Sequence, residues 1–379
     1  MWVNQKGYTT QNYNLKKITV LVDLYYLKAA VAGIGSYIRE LEASCKDHGS
    51  DHIKYIFTHD INKLVGKAIF LNSNNKIIRW IFQIRYLIYK QIQLPLKILF
   101  SKADFVICPD YIAPLITFNA KRITVLHDSL FWDYKKNYSF LWNKYFISLI
   151  NLGINSRTQI ITTSNYSKKN LIKILGSDKS ISYVYQSFNF YKTSSSSYIT
   201  PKNYLLHIGS FEKRKDLITL VKAFKLVDDS NLKLVLAGAQ IINGNSEVLN
   251  EIKTFIVQNK LEDKVILAGY VSKEEASILY KNARIYVFPS LDEGFGIPIL
   301  EALSFSIPVI CSDIDVFKEV GGKYVEYFKV GDFISLSKKI TSILKSKNLK
   351  QKNNIMHLNK FSRKNFIKGF EEIILNSND

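Results

Sequence analysis

The chain has 379 residues, enough for two α/β cores and too many for one of ordinary size. Hydrophobic residues make up 47% and only seven are proline, which excludes a disordered chain; Cys45, Cys108 and Cys311 lie far apart with no CxxC or Cys/His cluster, which excludes a disulfide framework and a structural zinc site and fits a reducing cytoplasm. The net charge of +20 points to something anionic (nucleic acid, lipid or a phosphorylated substrate), although the basic residues are scattered and part of the excess is compositional.

Residues 1–15 are polar and hold no apolar core, so no signal peptide is expected, and no stretch of about 18 apolar residues predicts a spanning helix. A soluble or peripheral protein is the expectation. Short β-branched runs at 18–23, 53–57, 105–109, 123–127, 159–163 and 181–185 alternate with helical patterns. A serine-rich stretch at 193–197 reads as a linker. A second series follows at 204–208, 232–237, 265–268, 285–289, 308–312 and 324–327, with a helical pattern such as 216–227 after the first. Two doubly wound domains are predicted, and ligands in such sheets sit at the carboxyl ends of the strands.

Candidate chemistry appears first at Gly33-Ile34-Gly35, after the first strand and before a helix expected at 36–43. A dinucleotide fingerprint fails because Ile38 stands where a third glycine is needed, and a Walker loop fails because Ser36-Tyr37 follows Gly35. Residues 76–100 form an amphipathic pattern with Ile77, Trp80, Ile81, Ile84, Leu87 and Ile88 on one face and Arg79, Gln83, Tyr86 and Lys90 on the other. Packing of the apolar face on the first sheet is the expectation; a basic amphipathic helix can also lie in a membrane interface. His127-Asp128 ends the strand at 123–127, where a histidine can serve a site and an aspartate can cap a helix.

In the second half, Arg214-Lys215 follows one strand and precedes a helix, placed to reach a diphosphate over the sheet end. The densest signal runs from Phe288 to Ala302. An apolar strand ends at Pro289, Glu293-Gly294-Phe295-Gly296 forms an acidic glycine loop, and Pro298 marks a helix's first turn ahead of Glu301. A helix N-terminus at a strand end favours phosphate, and carboxylates beside it suit a polyol's hydroxyls.

This string resembles the Glu-x7-Glu motif of family 4 retaining glycosyltransferases, through Glu293 and Glu301. Similarity extends to segments 206–217, 235–238, 269–272, 279–283, 308–312 and 319–322, while 163–168 is similar too but is explained by Ser/Asn helix caps. The resemblance implies an α/β GT-B architecture, two Rossmann-like doubly wound domains facing across an interdomain cleft. Its domains would be an acceptor-binding domain at 1–195, a nucleotide-sugar domain at 196–358 and a terminal helix at 359–379 crossing back to the first. It implies catalytic roles for His127 (beside the anomeric carbon), Glu293 and Lys215. Donor contacts are implied for Gly35, Ser210, Arg214, Lys215, Gly294, Phe295, Gly296, Ile297 and Glu301. Ser210 departs from the pattern, since many members carry arginine there, and Arg214 is the candidate substitute.

The implied reaction moves a hexose from a nucleoside diphosphate sugar, GDP-mannose first and a UDP-hexose second. The acceptor is a glycan, expected to be lipid-linked, in bacterial surface polysaccharide assembly at the inner face of the cytoplasmic membrane. No metal or other cofactor is expected, and no specific nucleic acid, because no recognised module is present. A non-catalytic partner of the same fold and a sugar-nucleotide epimerase or phosphorylase are the alternatives.

Overall fold

The computed structural model describes residues 17–29, 33–64, 76–133, 140–155, 157–188, 198–238, 246–346 and 354–377. Within them lie two six-stranded sheets, parallel throughout. The first holds β1 (Ile18–Val22), β2 (Ile53–Phe57), β3 (Phe105–Cys108), β4 (Lys121–Val125), β5 (Thr158–Thr162) and β6 (Ile181–Tyr183), in the order β2-β1-β3-β4-β5-β6. The second holds β7 (Tyr204–Ile208), β8 (Lys233–Ala237), β9 (Val265–Gly269), β10 (Ile285–Phe288), β11 (Val309–Ser312) and β12 (Glu326–Phe328), in the order β12-β11-β10-β7-β8-β9. Central strands such as β3 and β10 are buried along their whole length, as continuous apolar runs covered by helices on both faces must be.

Strand order reverses between β1 and β3 in the first sheet and between β7 and β10 in the second. A crevice opens at such a switch point, at the carboxyl ends of the strands. The loop after β7 carries Arg214-Lys215 and the loop after β10 carries Glu293, so both sequence motifs meet at one crevice by topology alone.

All twelve expected strands are present, β2 and β7 with the expected bounds and the others with shifted ends. β3 stops at Cys108, before Pro109, which has no N–H for the ladder. β4 ends at Val125, so His127-Asp128 stands in the loop beyond the strand instead of ending it. The helix expected at 36–43 spans Ile34–His48, entered through Gly33 at φ 51°. The serine stretch at 193–197, and Val31-Ala32 before Gly33, lie outside the described residues.

The last helix, Arg363–Asn376, buries Phe366, Ile367, Phe370 and Ile374 in the core of the first sheet. Each side chain so buried contributes about 1.5–3 kcal/mol. Arg363 adds a pair with Glu40 at 2.9 Å, on the helix Ile34–His48. The preceding helix, Ile355–Asn359, still packs with the second sheet through Leu358, so the chain crosses between domains around the buried Phe361.

One expectation is reversed. Residues 76–101 are helical, as Lys76–Ile88, a wide π turn Tyr89–Gln93 and Leu94–Ser101. The buried side carries Phe82, Tyr86, Tyr89, Lys90, Leu94 and Ile98, while Ile77, Trp80, Ile81, Ile84 and Ile88 face solvent. Lys90 causes the inversion. It is fully buried and paired with Asp23 at 2.7 Å and Asp110, two carboxylates past the ends of β1 and β3. Tyr86 and Tyr89 donate to the same carboxylates at 2.9 and 2.7 Å.

Candidate active site

Lys215 and Arg214 come from a short turn, Lys213–Lys215, that leads into the helix Leu217–Lys225. Glu293 lies opposite, after β10, and is 8% exposed. Its carboxylate accepts from the Lys215 ammonium through Oε1 and from Arg214 through Oε2 at 2.7 Å, with Ser290 Oγ donating at 3.0 Å. Burial works to raise the Glu293 carboxyl, but the Lys215 and Arg214 charges outweigh it and hold it at about 2. Burial lowers the Lys215 ammonium, which Glu293 offsets only in part. Arg214 also pairs with Glu212 at 2.8 Å, and Ser210 donates to that same carboxylate. Ser210 thus steadies Glu212, and Arg214 and Lys215 both reach the crevice through Glu293.

The helix Ile297–Ser304 starts at Gly296, whose φ of 111° suits glycine, with Pro298 in its first turn. A side chain at Gly296 would meet Phe317 at 3.0 Å. Phe295 turns inward, 4% exposed, against Tyr185 and Phe361, so at that position only the backbone faces the crevice loop. Glu301 is half-buried and accepts from Tyr280 at 3.0 Å.

The first domain closes over this loop. A Cβ built on Gly294 would stand 2.9 Å from Asp128 Cβ and 3.2 Å from His127 O, so glycine lets the two backbones touch. Ser164 and Ser167 donate to the Gly294 carbonyl at 2.9 and 3.0 Å. Glu319 accepts from the backbone N–H groups of Asn165 and Tyr166 at 2.6 and 2.9 Å, a carboxylate of the second domain at a helix N-terminus of the first. The segment 163–168 was explicable as helix caps, and Ser164 does cap Asn165–Leu175. Ser167 and Glu319 both lie in segments that share the resemblance, 163–168 and 319–322, but their spacing gives no sign that the two segments meet across the cleft.

His127 packs edge-on against Tyr37 at 4.6 Å and bonds the Pro109 carbonyl at 2.8 Å through Nε2. A carbonyl only accepts, so Nε2 carries the proton and Nδ1 keeps a lone pair. Burial lowers its pKa to about 4, which leaves the ring neutral near pH 7. Asp128 accepts from Tyr111 at 3.0 Å and from the Leu130 N–H at 3.1 Å, and burial raises it to about 6. Gly35 is buried in the first turn of Ile34–His48, two residues before Tyr37, which brings that helix to His127. The structure therefore gathers Glu293, Lys215, Arg214, Gly294, His127 and Asp128, and sets Phe295 apart.

Residues 192–357 match the family model of glycosyl transferases group 1. The O-antigen chain mannosyltransferase RfbU of Salmonella typhimurium is 34% identical over 194 residues, 49% of this chain and 52% of its own. The Escherichia coli O-antigen chain mannosyltransferase B is 27% identical over 216 residues, 53% and 55% of the two chains. The chain thus spans about half the length of the curated relatives it matches. Anabaena HepE, solved in complex with UDP and glucose, superposes with a TM-score of 0.69 at 15% identity, covering 95% of this chain and all of that one. A glycosyltransferase of Rickettsia africae superposes at 0.66 and 18% identity, covering 97% of this chain. The fold is the two-domain GT-B architecture.

Proposed function

We propose that the protein is a retaining glycosyltransferase that moves a hexose from a nucleoside diphosphate sugar to a glycan acceptor. The observation that carries this reading is Glu293 held between Lys215 and Arg214 at the second sheet's switch point, with Gly294 against His127-Asp128 of the opposite domain. The likeness to O-antigen mannosyltransferases supports GDP-mannose as first donor, and the neighbour holding UDP and glucose supports a UDP-hexose as second. The acceptor is a lipid-linked glycan of surface polysaccharide assembly, met at an anionic membrane surface. Residues 1–195 bind the acceptor, 196–358 bind the donor, and 359–379 tie the two together.

Lys215, Arg214 and the N–H groups opening the helix Ile297–Ser304 stabilise charge on the leaving diphosphate, the part a metal plays in other transferases. Glu293 holds the sugar hydroxyls and Glu301 those of the ribose. Neutral His127 lies beside the anomeric carbon. Retention follows from same-face substitution: the acceptor oxygen bonds to the anomeric carbon as the bond to phosphate breaks, and the acceptor's proton passes to the departing diphosphate. No enzyme nucleophile is needed.

A thermal-shift screen against UDP-, GDP-, ADP- and dTDP-sugars, followed by NMR of the product's anomeric proton, tests the reading. A raised Tm with a GDP- or UDP-sugar and a retained configuration are expected. Absence of any nucleotide-dependent shift, or an inverted product, refutes it.

A further inference from the structure

The helical run 76–101 turns its apolar side to solvent. Trp80 is 69% exposed, Ile77 68% and Phe100 79%, with Ile84, Ile88 and Ile92 along the same line. With Leu96, also exposed between Ile92 and Phe100, these residues recur every three or four positions, and the π turn Tyr89–Gln93 takes up the extra residue between the two α segments. At 1.5 Å per residue the run is about 39 Å long. The loop beside it extends the patch: Gln91 bonds the Leu115 N–H at 3.0 Å and the Ala113 carbonyl at 3.4 Å, and Leu115, Ile116 and Phe118 stand exposed. An apolar surface this continuous marks an interaction site.

Charge says with what. Residues 61–103 contain eight lysines and arginines and no aspartate or glutamate. Residues 1–188 hold 25 basic against 11 acidic residues, a net +14 of the chain's +20. Lys90 is neutralised inside, but Arg85, Lys97 and Lys102 are exposed along the run. A second copy of this face would bring like charge against itself, whereas an acidic lipid surface complements it. Among the described residues no helix is long and apolar enough to cross a membrane, so the run would lie in the interface.

We propose that the outer face of the run 76–101, with Leu115, Ile116 and Phe118, docks the protein into the interfacial layer of an anionic phospholipid bilayer. This deepens the transferase reading and rests on it for its purpose. On the inner face Tyr86 and Lys90 hold Asp110, next to Tyr111, which bonds Asp128 beside Gly294. The bilayer face therefore backs the acceptor half of the cleft, where a lipid-linked acceptor arrives.

The test is flotation of the full chain with vesicles of phosphatidylglycerol and phosphatidylcholine, against phosphatidylcholine alone. The wild type floats with the acidic vesicles, less so at high salt, and Trp80 emission shifts to the blue, a change missing in Trp80→Phe. Ile77→Ser/Trp80→Ser/Ile84→Ser lowers partitioning by roughly 100-fold or more, because three apolar side chains no longer enter the interface. Thermal unfolding and nucleotide binding of that variant stay at wild-type levels, showing that it folds. No flotation at low salt, equal flotation of the triple variant, or a wild-type dimer that the triple variant dissolves would each overturn the proposal. A wild type that floats but binds no nucleotide counts against the transferase reading alone.

Discussion

Replacing Glu293 by glutamine removes the carboxylate that joins the two cations and leaves the side chain's shape. The carboxyl is held at about 2 against an ordinary 4.5, which corresponds to about 3 kcal/mol of stability at neutral pH. The group's folded pKa is depressed, so this contribution is complete above about pH 5, shrinks as the unfolded chain takes up protons near 4.5, and is gone once pH falls through about 2. Urea unfolding of wild type and Glu293→Gln across pH 7 to 3 should show a gap of about 3 kcal/mol that narrows on acidification. The single variant strands Lys215, which is 8% exposed, whereas Arg214 keeps Glu212 at 2.8 Å. Adding Lys215→Met should therefore restore most of the loss, since an empty apolar pair is tolerated better than half an ion pair. A gap independent of pH, or a double variant less stable than either single one, would refute the electrostatic account.

Three further outcomes are expected. Lys215→Ala keeps Glu293 paired with Arg214 at 2.7 Å, so the protein folds, but kcat falls about 100- to 1000-fold with a smaller change in donor KM; steady-state kinetics with the donor found in the screen decides it, and a change confined to KM speaks against a role in the transition state. Gly294→Ala places a methyl 2.9 Å from Asp128 Cβ and should hold the domains apart, seen as a larger radius of gyration in solution scattering and a loss of kcat/KM; an unchanged scattering curve with full activity contradicts the contact. Lys90→Met leaves Asp23 and Asp110 buried without their cation and should cost about 3–5 kcal/mol in urea unfolding at neutral pH. That cost lessens at acid pH as the two carboxyls take up protons, and a loss under ~1 kcal/mol would mean the cluster is wetter than its burial indicates.

The fold was legible because its strands are two-sided. Central runs such as Phe105–Cys108 and Ile285–Phe288 are apolar and buried at every position, bounded by turn residues and followed by helical periods, the mark of parallel strands covered on both faces. Half of the site was legible for a related reason. Glu293, Gly294, Gly296 and Glu301 lie in one loop and the helix it opens, so their spacing is local and their chemistry can be read along the chain. The other half depends on tertiary closure. Ser164 and Ser167 meet the Gly294 carbonyl across 130 and 127 residues of sequence, and Glu319 reaches Asn165 across 154. Hydroxyls and carboxylates that bond so remotely look, in sequence, like any helix cap.

The run 76–101 failed for a different reason. A periodicity argument scores each side chain by polarity, so it sent Tyr86 and Lys90 outward and Trp80 and the isoleucines inward. The argument assumes that water is the only polar environment available. Here the carboxylates of Asp23 and Asp110, at the first sheet's own switch point, offer Lys90 a better one, with the Tyr86 and Tyr89 hydroxyls completing their shells. With Lys90 turned outward, Asp23 and Asp110 would lie unpaired under an apolar helix at a cost of several kcal/mol. The charge cluster therefore decides which way the helix faces, and the apolar stripe is what remains outside. That makes the stripe a consequence of how the first crevice is filled, and a sequence that changed Asp23, Lys90 and Asp110 together to apolar residues could turn the helix over and withdraw its hydrophobic face from solvent.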